Sequence, residues 1–110
     1  MAESGGESVR IDAWLWRARF FKTRSLASAT AAQGHIRLRR DGGESRIDKA
    51  SRSLRIGDEL TFAVGGRVIV VRVTALGERR GPPAEARGLY DLLAGPTAPL
   101  AVDKTVGGPR

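Results

Sequence analysis

The sequence predicts an α+β domain: two N-terminal helices packed on a small, mostly antiparallel sheet, with a short C-terminal helix. Three observations predict it. Apolar residues recur at i, i+3, i+4 and i+7 through Ile11, Trp14, Leu15 and Ala18, the stripe of an amphipathic helix. After Gly34 the pattern switches to alternation in His35-Ile36-Arg37-Leu38-Arg39, as in a half-buried strand. Two further apolar runs, residues 60–64 and 67–75, are joined by Gly65-Gly66, a composition suited to a two-residue hairpin loop.

Each element follows in order. Residues 1–8 are polar and glycine-rich and read as a disordered tail. In the first helix, about 100° per residue puts Trp14 in the core and Trp16 on the opposite side, exposed near Asp12 and Arg19. Lys22-Thr23-Arg24-Ser25 reads as a turn into a second helix, with Thr23 or Ser25 as N-cap. That helix, residues 26–33, is alanine-rich and closes at Gly34. Ala27 and Ala31 share a face small enough for close approach of the first helix. Asp41-Gly42-Gly43 signals a turn, residues 47–54 are irregular with one or two short strands, and Ile56-Gly57-Asp58-Glu59 is a second turn. The strand from Arg67 is apolar on much of both faces and is expected to be central. After Gly81-Pro82-Pro83, residues 84–93 read as the final short helix, with Leu89, Leu92 and Leu93 on the sheet. The domain is thus expected over residues 9–93, with a second disordered tail over 94–110.

Charge is distributed unevenly. Residues 10–40 hold eight Lys/Arg and one acid, which equals the chain's whole net charge of +7. The other 79 residues are balanced, 11 basic against 11 acidic. Four of the six aromatics (Trp14, Trp16, Phe20, Phe21) lie in the same stretch. Clustered cations interleaved with rings suit a polyanion with stackable bases, although a solvated basic helix face would look similar. Arg outnumbers Lys by sixteen to three. The planar guanidinium suits phosphate and base contact, but a GC-rich genome would give the same bias. With a pI near 11.2, the expected partner is nucleic acid or an anionic surface.

Composition also excludes chemistry. The chain has no cysteine and one histidine, His35, so thiol catalysis, disulfides and a zinc–cysteine site are ruled out. No acid pair, phosphate loop or cofactor motif is present, so neither catalysis nor a cofactor is expected. No apolar run approaches the ~18 residues of a membrane span, and residues 1–8 lack the apolar core of a signal peptide. A soluble, cytoplasmic monomer with no membrane partner is the expectation.

The segment Val9-Arg10-Ile11-Asp12-x-Trp14-Leu15-Trp16-x-Ala18-Arg19-Phe20-x-Lys22-Thr23-Arg24-Ser25-x-Ala27, followed by Gly34-x-Ile36 and Lys49-x-Ser51, resembles the RNA-binding domain first seen in ribosomal protein S4. The Trp-Leu-Trp core, the Phe-x-Lys-Thr-Arg turn and the stretch from Glu78-Arg79-Arg80-Gly81-Pro82-Pro83 to Leu89-Tyr90 are similar to one subfamily, the fifteen-kilodalton ribosome-associated heat-shock proteins. The resemblance spans residues 9–90. It implies a helix-helix-strand RNA-binding motif, association with free large ribosomal subunits that still hold a nascent chain on tRNA, a role in recycling stalled ribosomes, and no catalysis. It implies contacts to large-subunit ribosomal RNA, with tRNA a further candidate, and non-specific affinity for single-stranded or duplex nucleic acid.

Carried over position by position, the RNA-contacting surface comprises Arg10, Trp16, Arg19, Lys22, Thr23, Arg24, Ser25, Gln33, His35, Arg37, Lys49 and Ser51. Some of these positions also admit plainer readings. His35 could be a surface strand residue, Gln33 could simply be solvated, and Ser51 could cap a local turn. Asp12 is expected to be structural, orienting Arg10 or Arg19 or capping the helix. The chain departs from the family where Arg39-Arg40-Asp41-Gly42-Gly43-Glu44-Ser45-Arg46 replaces a short Asn-Gly turn, where Lys49-Ala50-Ser51 replaces Lys-Pro-Ser, and where few charges follow Tyr90 in place of a long basic extension. Two alternatives remain. One is a DNA-binding helix-turn-helix module, which would need base-reading side chains on its second helix. The other is an accessory RNA-binding domain acting with a separate RNA-modifying enzyme.

Overall fold

The computed structural model describes residues 7–95, so the expectations for residues 1–6 and 96–110 lie outside the described residues. The order is β1 (Val9–Arg10), α1 (Ile11–Arg17), α2 (Arg24–Ala32), β2 (Ile36–Arg40), β3 (Gly43–Ile47), β4 (Ser53–Leu54), β5 (Glu59–Val64), β6 (Arg67–Val73), α3 (Pro83–Ala86), a 3₁₀ turn (Arg87–Leu89) and β7 (Tyr90–Ala94). Five strands form an antiparallel sheet in the order β3-β2-β5-β6-β7, and β1 pairs with β4 in a separate two-stranded ladder. The α+β class read from the sequence is the class observed.

One face of the larger sheet carries the core. Ile36 and Leu38 of β2, Leu60 and Phe62 of β5, and Ile69, Val71 and Val73 of β6 are buried with Ile11, Trp14 and Leu15 of α1 and Ala27 and Ala31 of α2. The two alanines have no accessible surface, as expected where one helix backbone packs closely on another. Trp14 is fully buried, and its indole N–H donates to the Ala75 carbonyl at 2.9 Å. Around it Phe20, Phe21, Phe62 and Tyr90 form an aromatic cluster, with Phe20 4.6 Å from Tyr90 and 5.1 Å from Phe62 between ring centroids. Phe20 and Phe21 are therefore committed to the core. Of the four clustered aromatics in the basic segment, only Trp16 lies outside the aromatic cluster.

Short turns set the strand register. Asp41 (φ 53°) and Gly42 (φ 79°) form the two-residue turn between β2 and β3, and Gly65 and Gly66 (φ 59° and 80°) form that between β5 and β6. Two consecutive positive φ values mark the primed turns that match strand twist. The turn at Asp41-Gly42 therefore closes a tight hairpin whose arms pair from Arg40↔Gly43 to Ile36↔Ile47. At the far end of β2, Arg40 clamps the buried Asp58 carboxylate through bonds of 2.8 and 2.6 Å. That hydrogen bond raises the Arg40 pKa above its ordinary value. Asp58 also accepts from the Arg55 amide at 2.8 Å, which closes the turn before β5.

The C-terminal segment differs from expectation. Helix α3 is only four residues long, and residues 90–94 form a strand on the free edge of β6, with Val73↔Tyr90 and Arg72↔Asp91 in register. Leu89 is buried as expected, whereas Leu92 and Leu93 are 41% and 42% exposed. The open β6 edge supplies backbone partners that a helix over these residues would leave unused. Trp14→Ala is expected to lower stability by about 3–5 kcal/mol, measured by urea unfolding; a loss below 1 kcal/mol would place the tryptophan outside the core.

Candidate nucleic-acid interface

Helix α1 begins without help from its N-cap, because Arg10 makes no side-chain capping bond. Its first amides are orphan donors, and a distant loop satisfies them: Ile11 N–H donates to the Arg52 carbonyl at 2.9 Å and Asp12 N–H to the Ala50 carbonyl at 3.4 Å. The same loop is closed on itself by the Arg52 amide donating to the Lys49 carbonyl at 3.1 Å. Lys49-Ala50-Ser51 thus makes its turn with alanine at the central position. It brings exposed Lys49 and Ser51 beside Arg10.

Asp12 is the pivot of this corner. It is 1% exposed, and four groups converge on its carboxylate. The Arg10 guanidinium donates to both oxygens (3.2 and 3.1 Å), the Ser28 hydroxyl donates at 2.7 Å, the Ala13 amide donates at 2.7 Å, and Arg24 lies at 3.5 Å. Burial alone would raise the Asp12 pKa, but the Ser28 and Arg10 hydrogen bonds and the charges of Arg24 and Arg10 outweigh it and hold the carboxyl below its ordinary value. The structural role expected of Asp12 is present, with Arg24 and Ser28 as partners and not Arg19. Ser28, invisible to motif reading, ties α2 to α1.

Helix α2 starts as the sequence suggests. The Thr23 hydroxyl accepts from the Leu26 amide at 3.1 Å and is the N-cap; Ser25 sits exposed in the first turn. Lys22 and Arg24 flank this start on the solvent side. At this corner Arg10 and Arg24 pair with buried Asp12, Lys22 immediately precedes the Thr23 cap, and the docked loop carries Lys49. One negative charge faces several cations, so the corner keeps a positive excess where free amides and the helix dipole also favour phosphate.

The other expected contacts lie apart from this corner. Trp16 is half-buried rather than exposed, with the Arg80 guanidinium 5.8 Å over its ring. Arg80 also donates to the Trp16 carbonyl at 3.1 Å and to the Phe21 carbonyl at 3.5 Å, and Arg19 (φ 66°) donates to the Gly81 carbonyl at 2.7 Å. Arg80 thus straps the connector between α1 and α2, a role that the Arg79-Arg80 signature did not reveal. Gln33 is the exposed C-cap of α2, and His35 and Arg37 are exposed at the start of β2. They lie at the far end of α2 from Thr23.

Asp12→Asn should destabilise the fold by roughly 1–3 kcal/mol at neutral pH, since Arg10, Arg24 and Ser28 lose a charged acceptor. Because the folded pKa lies below 3.8, this stabilisation is present above that value and is lost as pH falls through the folded pKa. Urea unfolding of both proteins at neutral pH and well below pH 3.8 should show the gap closing in acid. A gap independent of pH would mean the carboxylate charge is not its source.

No family model matches the chain. Heat shock protein 15 of Escherichia coli (strain K12) is 37% identical over 94 residues, covering 86% of this chain and 67% of that protein. The RQC P-site tRNA stabilizing factor of Bacillus subtilis (strain 168) is 34% identical over 85 residues, 77% of this chain and 92% of that protein. Among solved structures, the trimeric structure of Vibrio cholerae heat shock protein 15 matches with a TM-score of 0.68 at 35% identity, over 80% of this chain and 84% of that one. At that TM-score the fold is shared. The chain belongs to the heat shock protein 15 family.

Proposed function

We propose that this protein binds RNA of the large ribosomal subunit through the surface around the start of α2, favouring subunits that retain peptidyl-tRNA. The observation that carries the reading is the positive excess left around buried Asp12, where Arg10, Lys22 and Arg24 meet the capped N-terminus of α2. Structured RNA fits this surface better than duplex DNA. After Arg24, the polar side chains of α2 are Ser25, Ser28 and Thr30, with no arginine to read base edges in a groove. The relatives' names support the finer part: one is called a heat shock protein and another a P-site tRNA stabilizing factor. In this reading the protein works by binding, without catalysis or cofactor.

Lys22→Ala combined with Arg24→Ala should weaken binding to ribosomal RNA fragments of any sequence. The slope of log affinity against log salt should flatten by about 0.7–0.9 per lost phosphate contact. An unchanged slope in a folded variant would move the phosphate site elsewhere. At the cellular level, a lysate from heat-stressed cells should show the protein sedimenting with the free large subunit and released by raised salt. Protein that stays at the top of the gradient while binding duplex DNA tightly would overturn the ribosomal reading.

A further inference from the structure

The sheet face turned away from α1 and α2 carries neighbouring cross-strand rows of opposite character. In one row, each strand contributes a charge and the signs alternate: Glu44, Arg39, Glu59, Arg72 and Asp91 stand side by side. Arg72 and Glu59 are paired there at 3.1 Å. Two residues along, the balance fails. Arg46 and Arg37 stand directly opposite each other, followed by Thr61. Like charges opposite one another destabilise a strand pair. Arg37 reaches only the diagonal Glu44, at 3.9 Å between two well-exposed side chains, and Arg46 has no acidic partner within 4 Å among the described residues.

Beside this arginine pair the surface is apolar. Ala63 and Val68 face each other across β5 and β6, and Val68 is 61% exposed. Together with His35 these residues line an open groove of about 350 Å³. The Arg46 stem lies along Gly34, where a Cβ would come within 3.4 Å of its Cδ. That places Arg46 at the C-terminal end of α2, yet it makes no hydrogen bond to a helix carbonyl among the described residues, so its guanidinium donors remain available.

Resting on the RNA reading above, we propose that this groove seats one unpaired nucleotide of the bound RNA. The phosphate lies between Arg37 and Arg46, and the base rests on Ala63 and Val68 beside the Thr61 hydroxyl. Two facing guanidiniums can each grip a phosphate through paired N–H donors, which removes their mutual repulsion. A ring such as His35 and an apolar floor suit a splayed-out base. The volume is that of a small-ligand site. Continuity favours RNA over an acidic peptide. Helix α2 runs from the phosphate corner at Thr23 to Gly34 at the groove, and its nine residues span about 14 Å. A strand leaving the corner must run that length and then turn past Gly34 to the far face of the sheet, a path of several nucleotides.

Two RNA probes test this by fluorescence anisotropy: a short hairpin with an unpaired 3′ uridine tail, and the same hairpin with a blunt end. Arg46→Ala, a change at an exposed position, should flatten the salt slope by about 0.7 for the tailed RNA and leave the blunt one unchanged. Lys22→Ala should affect both. In amide NMR spectra, the Ala63 and Val68 signals should shift with the tailed RNA and stay still with the blunt one. Still signals, or an Arg46→Ala effect equal for both probes, would overturn the nucleotide seat while leaving the α2 interface standing. Groove signals moved by a polyglutamate peptide and not by tailed RNA would overturn it in favour of a protein partner. Failure of both hairpins to bind the unaltered protein would overturn the RNA reading and the seat with it.

Discussion

Taking the Asp12 carboxylate out of water costs several kcal/mol unless it is paired and hydrogen-bonded. The groups that offset this cost come from three elements: Arg10 from β1, Ala13 from α1 itself, Arg24 and Ser28 from successive turns of α2. The carboxylate therefore does more than stabilise. It fixes the distance and rotation between the helices, and it orients two of the cations that face outward. Without an anion at this place the close packing of Ala27 and Ala31 against α1 would draw several positive side chains together with nothing between them.

The arginines divide sharply by task. Arg40 is consumed by Asp58, Arg19 and Arg80 by backbone carbonyls around the α1–α2 connector, and Arg17 by the Gly77 carbonyl at 3.0 Å. A count of basic residues overstates the cationic surface for this reason. Of the cations left facing outward, Arg10, Lys22 and Arg24 lie at one end of α2, and Arg37 and Arg46 lie at the other. Guanidinium suits both jobs, since its planar fork can bind a carbonyl within the protein or a phosphate outside it.

Much of this was legible in the sequence. The phase of α1, the alanine face of α2, the Thr23 cap and the Gly34 terminus are local signals, set by helical periodicity and by which residues tolerate a cap or a positive φ. Composition marks both hairpin turns, Asp41-Gly42 as well as Gly65-Gly66, but only the pairing of Arg40 with Gly43 shows that a strand begins directly after the first. Other features had no local signal. Strands β1 and β4 are two residues each and exist only because they meet. Tyr90 to Ala94 has leucines spaced as well for a helix as for a strand, and the free edge of β6 decides between them. Phe20 and Phe21 follow α1 in a stretch rich in cations, and only the folded chain shows them packed on Phe62. The partners of Arg80 are carbonyls, which no side-chain pattern records.

The docking of the Lys49–Arg52 turn on the first amides of α1 has a kinetic consequence. Helices of seven and nine residues are too short to persist alone in water, so the basic helix pair cannot form first and recruit the sheet. The carbonyls that complete α1 lie about forty positions later in the chain, and the strands that carry the core must already be near. A nascent chain exposing only its first helices would thus display the charges without the shape. The cationic surface becomes competent in the same cooperative step that closes the sheet, and it should open only when the whole domain does.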